Sequence, residues 1–537
     1  MPVSKEIVQD ILKAIPARIR GPGGAVAVLS DGALVDQRVW GYADFNRRIP
    51  MTDDTLIPIC SISKQMLCGL VADLEKNPTP KLAEKGDVKT QFEEKLKEIL
   101  PELAKTGELK IDHLCNNRSG IRDYWAITLL WGAKPEDPYS IAEHNEKVLK
   151  TIKSTHFTPG TEYSYCNTNF NIVARVVEAT TGESLSDLLN ARIFGPAGMK
   201  TAQLGADTAK LPPPCVGYEG DEDRGYIPAE NRIDEWAGDA GIIASLGDMI
   251  AYESFLDRSL FDPNSWYRAI FKPTSFTDGV PSIYSQGLGH SQYGSVSGIG
   301  HGGALRGFRL YRAHVPEERL SVVAMFNHEA DAATLVEHII QTTLALQKPP
   351  PPTLVDASPA WPGIYLDDGT QLAVTIKNGK KGQIVVNYAN YAEPVNLTDP
   401  ERGESRAMVA VVDGDNLRIH RLKENRTLNA KRLKIGDTPV DNSAFTGDFY
   451  SEEIGSIFHC VDQGGLMFGT FEGFLGHSPA QFMRYLGGDV WALANPRGMD
   501  AKPPGDWTLV FHRDEKGAVV GVTIGCWLAR KIEFVKK

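Results

Sequence analysis

Long apolar runs are missing from this chain. Nowhere in its 537 residues is there an uninterrupted apolar stretch of the roughly twenty residues that a membrane-spanning helix needs, so no such helix is expected. A surplus of positive charge is missing as well. Lys and Arg number 57 against 68 Asp and Glu, a formal net charge of −11 with no long run of either sign, which argues against a nucleic-acid partner, since that demands a basic surface. Cysteine is sparse. The seven residues (Cys60, Cys68, Cys115, Cys166, Cys215, Cys460 and Cys526) are odd in number, scattered and mostly in apolar company. They read as reduced core residues, and none has the spacing of a zinc site, so neither a metal nor another cofactor is expected. The first residues, Met1 to Ile7, carry charge and no apolar core, unlike a secretory signal, and a cytoplasmic location is the expectation.

What is present is an ordinary globular composition, 42% hydrophobic and 23% charged, in a chain long enough for roughly three or four domains. Ile7, Ile11, Leu12 and Ile15 predict one helical face, ended by Pro16 and the Gly21-Pro22-Gly23-Gly24 turn. Ala25–Leu29 and Arg38–Tyr42 predict a hairpin turning at Asp31-Gly32, and Phe92–Leu100 has helical spacing. The polar, Gly-containing stretch Ile111–Trp125 has the composition of a functional loop, although a plain connecting turn would look similar. After a Pro159-Gly160 turn, an aromatic and polar segment runs into a helix predicted from Ile172 to Ala179 and closed by Gly182. Small residues from Ala237 onwards lead into a helix capped near Ser245, and Gly298–Phe308 is a glycine-rich approach to a strand. A proline run at Pro349–Pro352 marks the clearest boundary. Short alternating strands follow it (Leu372–Ile376, Ile384–Tyr388, Met408–Val412), and aromatic-x-Gly-x-aromatic recurs at Trp361–Tyr365 and Phe445–Phe449, pointing to two similar β-domains, small barrels.

The stretch with chemistry in it is Pro58-Ile59-Cys60-Ser61-Ile62-Ser63-Lys64-Gln65-Met66. At the start of a helix, Ser61 and Lys64 lie one turn apart on one face, bringing an amine to a hydroxyl. The helix N-terminus favours an alkoxide or oxyanion beside it, and apolar neighbours would bury the lysine, which favours its neutral, basic form. Ser-x-x-Lys alone also fits a capped helix with a solvated lysine. Tyr165 and Asn167 offer a phenol and a carboxamide that can reach one cleft, as would a tyrosine merely anchoring a loop. His301 sits among glycines that would let backbone approach a ligand, or serves the turn itself.

Ser61-x-x-Lys64, Tyr165-Cys166-Asn167 and His301-Gly302-Gly303, in that order, resemble the three elements of the penicillin-recognising serine enzymes, which include class C β-lactamases, DD-peptidases and related esterases. Phe157-Thr158-Pro159-Gly160, Ile193–Met199 and Tyr284-Ser285-Gln286-Gly287-Leu288-Gly289 add to the likeness. With Cys115–Gly120, Gly300–Gly307, Phe471–Gly476 and Gly525–Arg530 the whole chain resembles the D-aminopeptidase branch.

That resemblance implies an α+β fold: a β-lactamase/DD-peptidase-like catalytic domain of antiparallel sheet and helices over residues 1–346, a Pro-rich linker over 347–360, and antiparallel β-barrels over 361–440 and 441–537. It implies hydrolysis of N-terminal D-residues, small ones such as D-Ala and also Gly or D-Ser, from peptides, amides and esters. Ser61 is then the nucleophile, Lys64 and Tyr165 share the proton transfers, Asn167 holds Lys64 and the substrate amide, and His301 donates towards substrate or Tyr165. Ala304 lends its N–H to an oxyanion hole. Asp500 holds the substrate's free amine, within a specificity loop that includes Pro496, Arg497, Gly498, Met499, Ala501 and Lys502. The implied partners are a small peptide or amide substrate and a second copy in a homodimer, with no nucleic acid, membrane or metal. Two departures stand out: the third element is His-Gly-Gly where the wider family often has Lys-Thr-Gly, and Asn117 stands where many relatives carry histidine. The alternatives are a DD-carboxypeptidase, a β-lactamase or an esterase of the same fold, or a catalytically dead binding scaffold.

Overall fold

Alternation of apolar residues along Gly23–Ser30 commits both faces of this strand to burial: Val26 and Val28 project one way, Ala25, Ala27 and Leu29 the other. In the computed structural model, which describes residues 3–135, 137–205, 207–234, 238–347, 354–388, 391–436, 440–495, 498 and 505–537, this strand lies inside an antiparallel sheet of eight. The strand order is 284–285, 288–293, 296–305, 308–315, 320–326, 23–30, 33–44 and 49–50. The predicted hairpin at Asp31-Gly32 is present. Helices Lys5–Arg18 and Ala332–Thr343 cover one face, through Val8, Leu12, Ile15, Val336 and Ile339. Helices Ser63–Lys76 and Leu246–Phe261 contribute to the core on the other face, through Met66, Leu70, Met249 and Leu256.

Three sequence expectations shift. The first helix buries Val8 in place of Ile7, which is 43% exposed, and it continues past Pro16 to Arg18. Val8, Leu12 and Ile15 follow the i, i+4, i+7 spacing of a helix face, and a proline so near the end removes only one of the last backbone bonds. The helix predicted from Ile172 begins at Asn167 and runs to Thr181, closed by Gly182 at φ 77°. The glycine-rich approach is itself strand, Val296–Leu305. The helix after Ser245 starts as predicted, with a Ser245/Asp248 capping box.

Beyond the proline run, of which residues 348–353 lie outside those described, stand two barrels. Eight antiparallel strands from Gly363–Asp367 to Arg426–Arg432 close the first. The second closes through eight strands from Gly447–Ser451 to Ala529–Lys536, with Gly476–His477 attached at its edge. The recurrent motif opens each barrel, and its aromatics Trp361, Tyr365, Phe445 and Phe449 are all buried. All seven cysteines are buried and unbridged. Among the described residues no helix is long and apolar enough to cross a membrane.

The domains are bonded to one another. Glu162 of the catalytic domain accepts from Arg426 of the first barrel and, at 3.0 Å, from Arg530 of the second. Trp131 donates from its indole to the Ile454 carbonyl at 3.2 Å and packs on Phe474 at 4.8 Å between ring centroids. Within the catalytic domain a buried ion pair braces the helix that carries Lys64. Arg312 donates to both oxygens of Glu253 at 2.5 and 2.6 Å and to Gln65 Oε1 at 3.2 Å, with Arg312 and Glu253 both fully buried. Removing one partner leaves an uncompensated charge in the core. Glu253→Ala should therefore destabilise this domain by about 3–5 kcal/mol, whereas replacing both residues by apolar ones should cost much less. Urea-unfolding midpoints of the single and double variants check this.

Candidate active site

The short strand Ile57–Pro58, paired with Ile242–Ala244, delivers the chain to a sharp turn. Cys60 takes φ +52°, an uncommon conformation for a residue with a side chain, and a 3₁₀ turn over Cys60–Ile62 passes directly into the helix Ser63–Lys76. Ser61 is thus presented, partly exposed, at a helix entrance, while Lys64 one turn on has no exposed surface. Backbone presses on this turn from two sides. A Cβ on Gly303 would sit 2.4 Å from the Ile59 carbonyl oxygen, and one on Gly287 would sit 2.7 Å from the backbone at Lys64 and Gln65. Only glycine permits that closeness.

Lys64 Nζ has three acceptors: Ser61 Oγ at 2.9 Å, Asn167 Oδ1 at 2.8 Å and the Asp239 carbonyl at 2.6 Å. These match the three hydrogens of an ammonium. They equally match a neutral amine, with two hydrogens on Asn167 and Asp239 and a lone pair facing the Ser61 hydroxyl. The Tyr165 ring centroid is 5.0 Å from Lys64 Nζ. Burial makes the Tyr165 phenol harder to ionise, while the neighbouring Lys64 and Ser61 pull the other way.

Asn167 is itself held. Its backbone N–H and side-chain amide donate to the two oxygens of Asp123 at 3.0 and 2.9 Å. The Asp123 backbone N–H donates to the Leu528 carbonyl of the second barrel at 3.1 Å. Burial, then repulsion from Asp239, pushes the Asp123 carboxyl up to about 7, against the pull of Lys64. Asp239 accepts from the Tyr124 hydroxyl at 2.9 Å. Asn117, at φ +53° and fully buried, clamps the Tyr165 segment: its side-chain oxygen accepts from Cys166 N–H at 3.1 Å and its carbonyl from Ser164 N–H at 3.0 Å.

His301 lies 6.2 Å from Tyr165 between ring centroids. Its Nδ1 faces the Gly302 carbonyl at 2.6 Å and therefore carries the proton, which leaves Nε2 to accept from the Tyr284 hydroxyl at 3.0 Å. Both ring nitrogens are engaged, so in this arrangement the ring has no N–H directed at substrate or at Tyr165. Burial, followed by the Lys64 charge, lowers its pKa to about 3 and keeps it neutral. Ala304 lies further along the same strand, on the part beyond the pairing with Leu288–Tyr293, which ends at Gly300. Arg306 donates to the Gly498 carbonyl at 2.7 Å, joining Gly498 to the end of this strand. Pro496, Arg497, Met499, Asp500, Ala501 and Lys502 lie outside the described residues.

The family model described as beta-lactamase matches residues 8–347, and that described as D-aminopeptidase, domain B matches residues 354–535. Over 527 residues the chain is 42% identical to the D-aminopeptidase of Brucella melitensis biotype 1, covering 98% of each. The chain belongs to the D-aminopeptidase family. Among solved structures, SurE superposes with a TM-score of 0.54 at 17% identity, over 80% of this chain and 99% of that one. The octameric penicillin-binding protein homologue from Pyrococcus abyssi gives 0.51 at 15%, over 79% and 99%. These two likenesses are of fold.

In this D-aminopeptidase-family chain, Ser61, Lys64, Tyr165, Asn167 and His301 converge as their motifs suggested. Sequence reasoning gave no role to Asp123, Asp239, Tyr124 or Tyr284. Each stands in or beside a stretch singled out above, but nothing in the sequence says which of its polar groups is buried.

The folded chain holds the Asp123 proton up to about pH 7, whereas an unfolded aspartate releases it near 3.8. Between those values the folded state binds more protons, so this group's contribution to stability falls as pH rises through the window, by up to about 1.4 kcal/mol per pH unit. Urea midpoints of the wild type and Asp123→Asn should accordingly differ by an amount that changes between pH 4 and 7 and is constant above 8.

Proposed function

We propose that this chain is a serine hydrolase that releases N-terminal D-residues, small ones preferred, from peptides, amides and esters through an acyl-enzyme on Ser61. The observation that carries the reading is the buried Lys64 amine, 2.9 Å from Ser61 Oγ with its other two positions committed to Asn167 and Asp239. Such an amine, once neutral, can take the Ser61 proton, with the Tyr165 hydroxyl in hydrogen-bond reach of both.

Ser61 Oγ attacks the carbonyl as its proton passes to Lys64, with Tyr165 beside both as the relay to the leaving nitrogen. The backbone N–H groups of Ser61 and Ala304 receive the oxyanion. Lys64 and Tyr165 then activate the water that cleaves the ester. His301, neutral and bonded to Tyr284, shapes the wall beside Tyr165 and takes no proton in the cycle. The choice of a free N-terminal D-residue follows the Brucella relative, and Asp500 is the group assigned to the substrate ammonium. The Arg306 bond to Gly498, two residues from Asp500, supports that assignment.

D-Alanine p-nitroanilide should turn over, its L-enantiomer and N-acetyl form should not, and Ser61→Ala should lose roughly a thousandfold or more in kcat. Asp500→Asn should weaken kcat/KM on the free-amine substrate by about tenfold or more, the worth of a charge-assisted contact. Equal cleavage of the N-acetyl form would remove Asp500 from its role, and no turnover of any D-compound would overturn the reading.

A further inference from the structure

The first barrel also reaches the active-site wall. Its hairpin turn between strands Asn416–Arg421 and Arg426–Arg432 is seated against the segment leading to Tyr165. Tyr163 N–H donates to the Glu424 carbonyl at 3.1 Å, and the Asn425 side chain donates to the Thr161 carbonyl at 3.2 Å and to Asp278 at 2.9 Å. Arg426 bonds Glu162. So anchored, the turn holds Lys423 Nζ 5.0 Å from the centroid of the Tyr163 ring. Tyr163 packs on Tyr284 at 5.4 Å between centroids, and Tyr284 bonds His301. The Lys423 charge is near enough to act on the His301 ring.

Lys423 differs from the other cations around the cleft. Lys64 is saturated by its three acceptors. Arg306 is spent on the carbonyls of Glu230, Pro135 and Gly498, and Arg118 on Thr274 and Ser275. Lys423 keeps exposed surface, although burial around its amine lowers its pKa, and it makes no ion pair among the described residues, since the neighbouring Glu424 is taken by Arg421. Its position along the strand matters too. Gly498 meets this strand at its Leu305–Arg306 end, and the Lys423 charge reaches His301, four residues back, about 13 Å at strand rise. An amine reader at one end leaves the other end for the far part of the substrate.

We propose that Lys423, lent by the first barrel, receives the terminal carboxylate of a short peptide substrate on its leaving-group side, making the enzyme prefer peptide acids over their C-terminal amides. The assignment rests on the reading above, and it gives the first barrel a part in substrate choice. No bond changes at Lys423; the contact is a charge-assisted hydrogen bond at a partly solvated site.

The test measures kcat/KM for D-alanylglycine and D-alanylglycylglycine, each as free acid and as C-terminal amide, with D-alanine p-nitroanilide alongside, in wild type, Lys423→Met and Lys423→Arg. At low salt the wild type should favour the acid of at least one pair by roughly three- to fivefold, the worth of a partly exposed ion pair. The preference should lie in KM, shrink as salt is raised, fall to about one in Lys423→Met and return in Lys423→Arg. Equal turnover of acid and amide in both pairs, or a preference that survives Lys423→Met, overturns the assignment. A wild type inactive on every D-substrate, the p-nitroanilide included, defeats the underlying reading instead.

Discussion

An amine wholly withdrawn from water is tolerable in a protein interior only when its hydrogens are taken up, and much of this fold can be understood as the means of doing so for Lys64. The acceptors come from three separate places in the chain. Ser61 lies one turn before it, Asn167 opens the helix Asn167–Thr181, and the Asp239 carbonyl comes from the segment leading to the strand Ile242–Ala244. None can move without stranding a buried polar group, so the hydroxyl, the amine and the carboxamide are fixed relative to one another by the cost of separating them. The glycines at 287 and 303 allow backbone to close over the turn and exclude solvent from it.

The same constraint extends outward into the barrels. Lys64 depends on Asn167, Asn167 on Asp123, and the Asp123 backbone on Leu528 in the second barrel, by bonds of 2.8, 2.9 and 3.1 Å. Glu162 ties both barrels to the segment that carries Tyr165. The C-terminal third of the chain is therefore continuous, through hydrogen bonds, with the groups that surround Ser61.

The parts of this arrangement readable in the sequence are those set by local pattern. Alternation gave the hairpin at Asp31-Gly32 and the barrel strands, Ser245 gave its helix start, and the three motifs marked Ser61, Lys64, Tyr165, Asn167 and His301. What stayed hidden was set by long-range packing. Asp123 and Asp239 read as ordinary loop acids because nothing local reveals that both are buried beside the same amine. The role of Asn117 as a clamp depends on Cys166 and Asn169, some fifty residues further on. The helix starts at Asn167, ahead of the predicted Ile172, because hydrogen bonds from Asn167 to Asp123 offset the weak helix propensity of Asn.

His301 brings no charge to the site. A protonated ring there would add a positive charge beside the Lys64 amine in a site with little solvent to screen it. The imidazole is instead neutral, its Nδ1 proton given to a carbonyl and its Nε2 accepting from Tyr284, so it contributes hydrogen-bonding shape without charge. On the other side of Lys64, burial and the proximity of Asp239 raise Asp123 to about 7, which limits how much negative charge collects there near neutrality. A cation such as Lys423 stands further out, where it keeps exposed surface although burial still lowers its pKa.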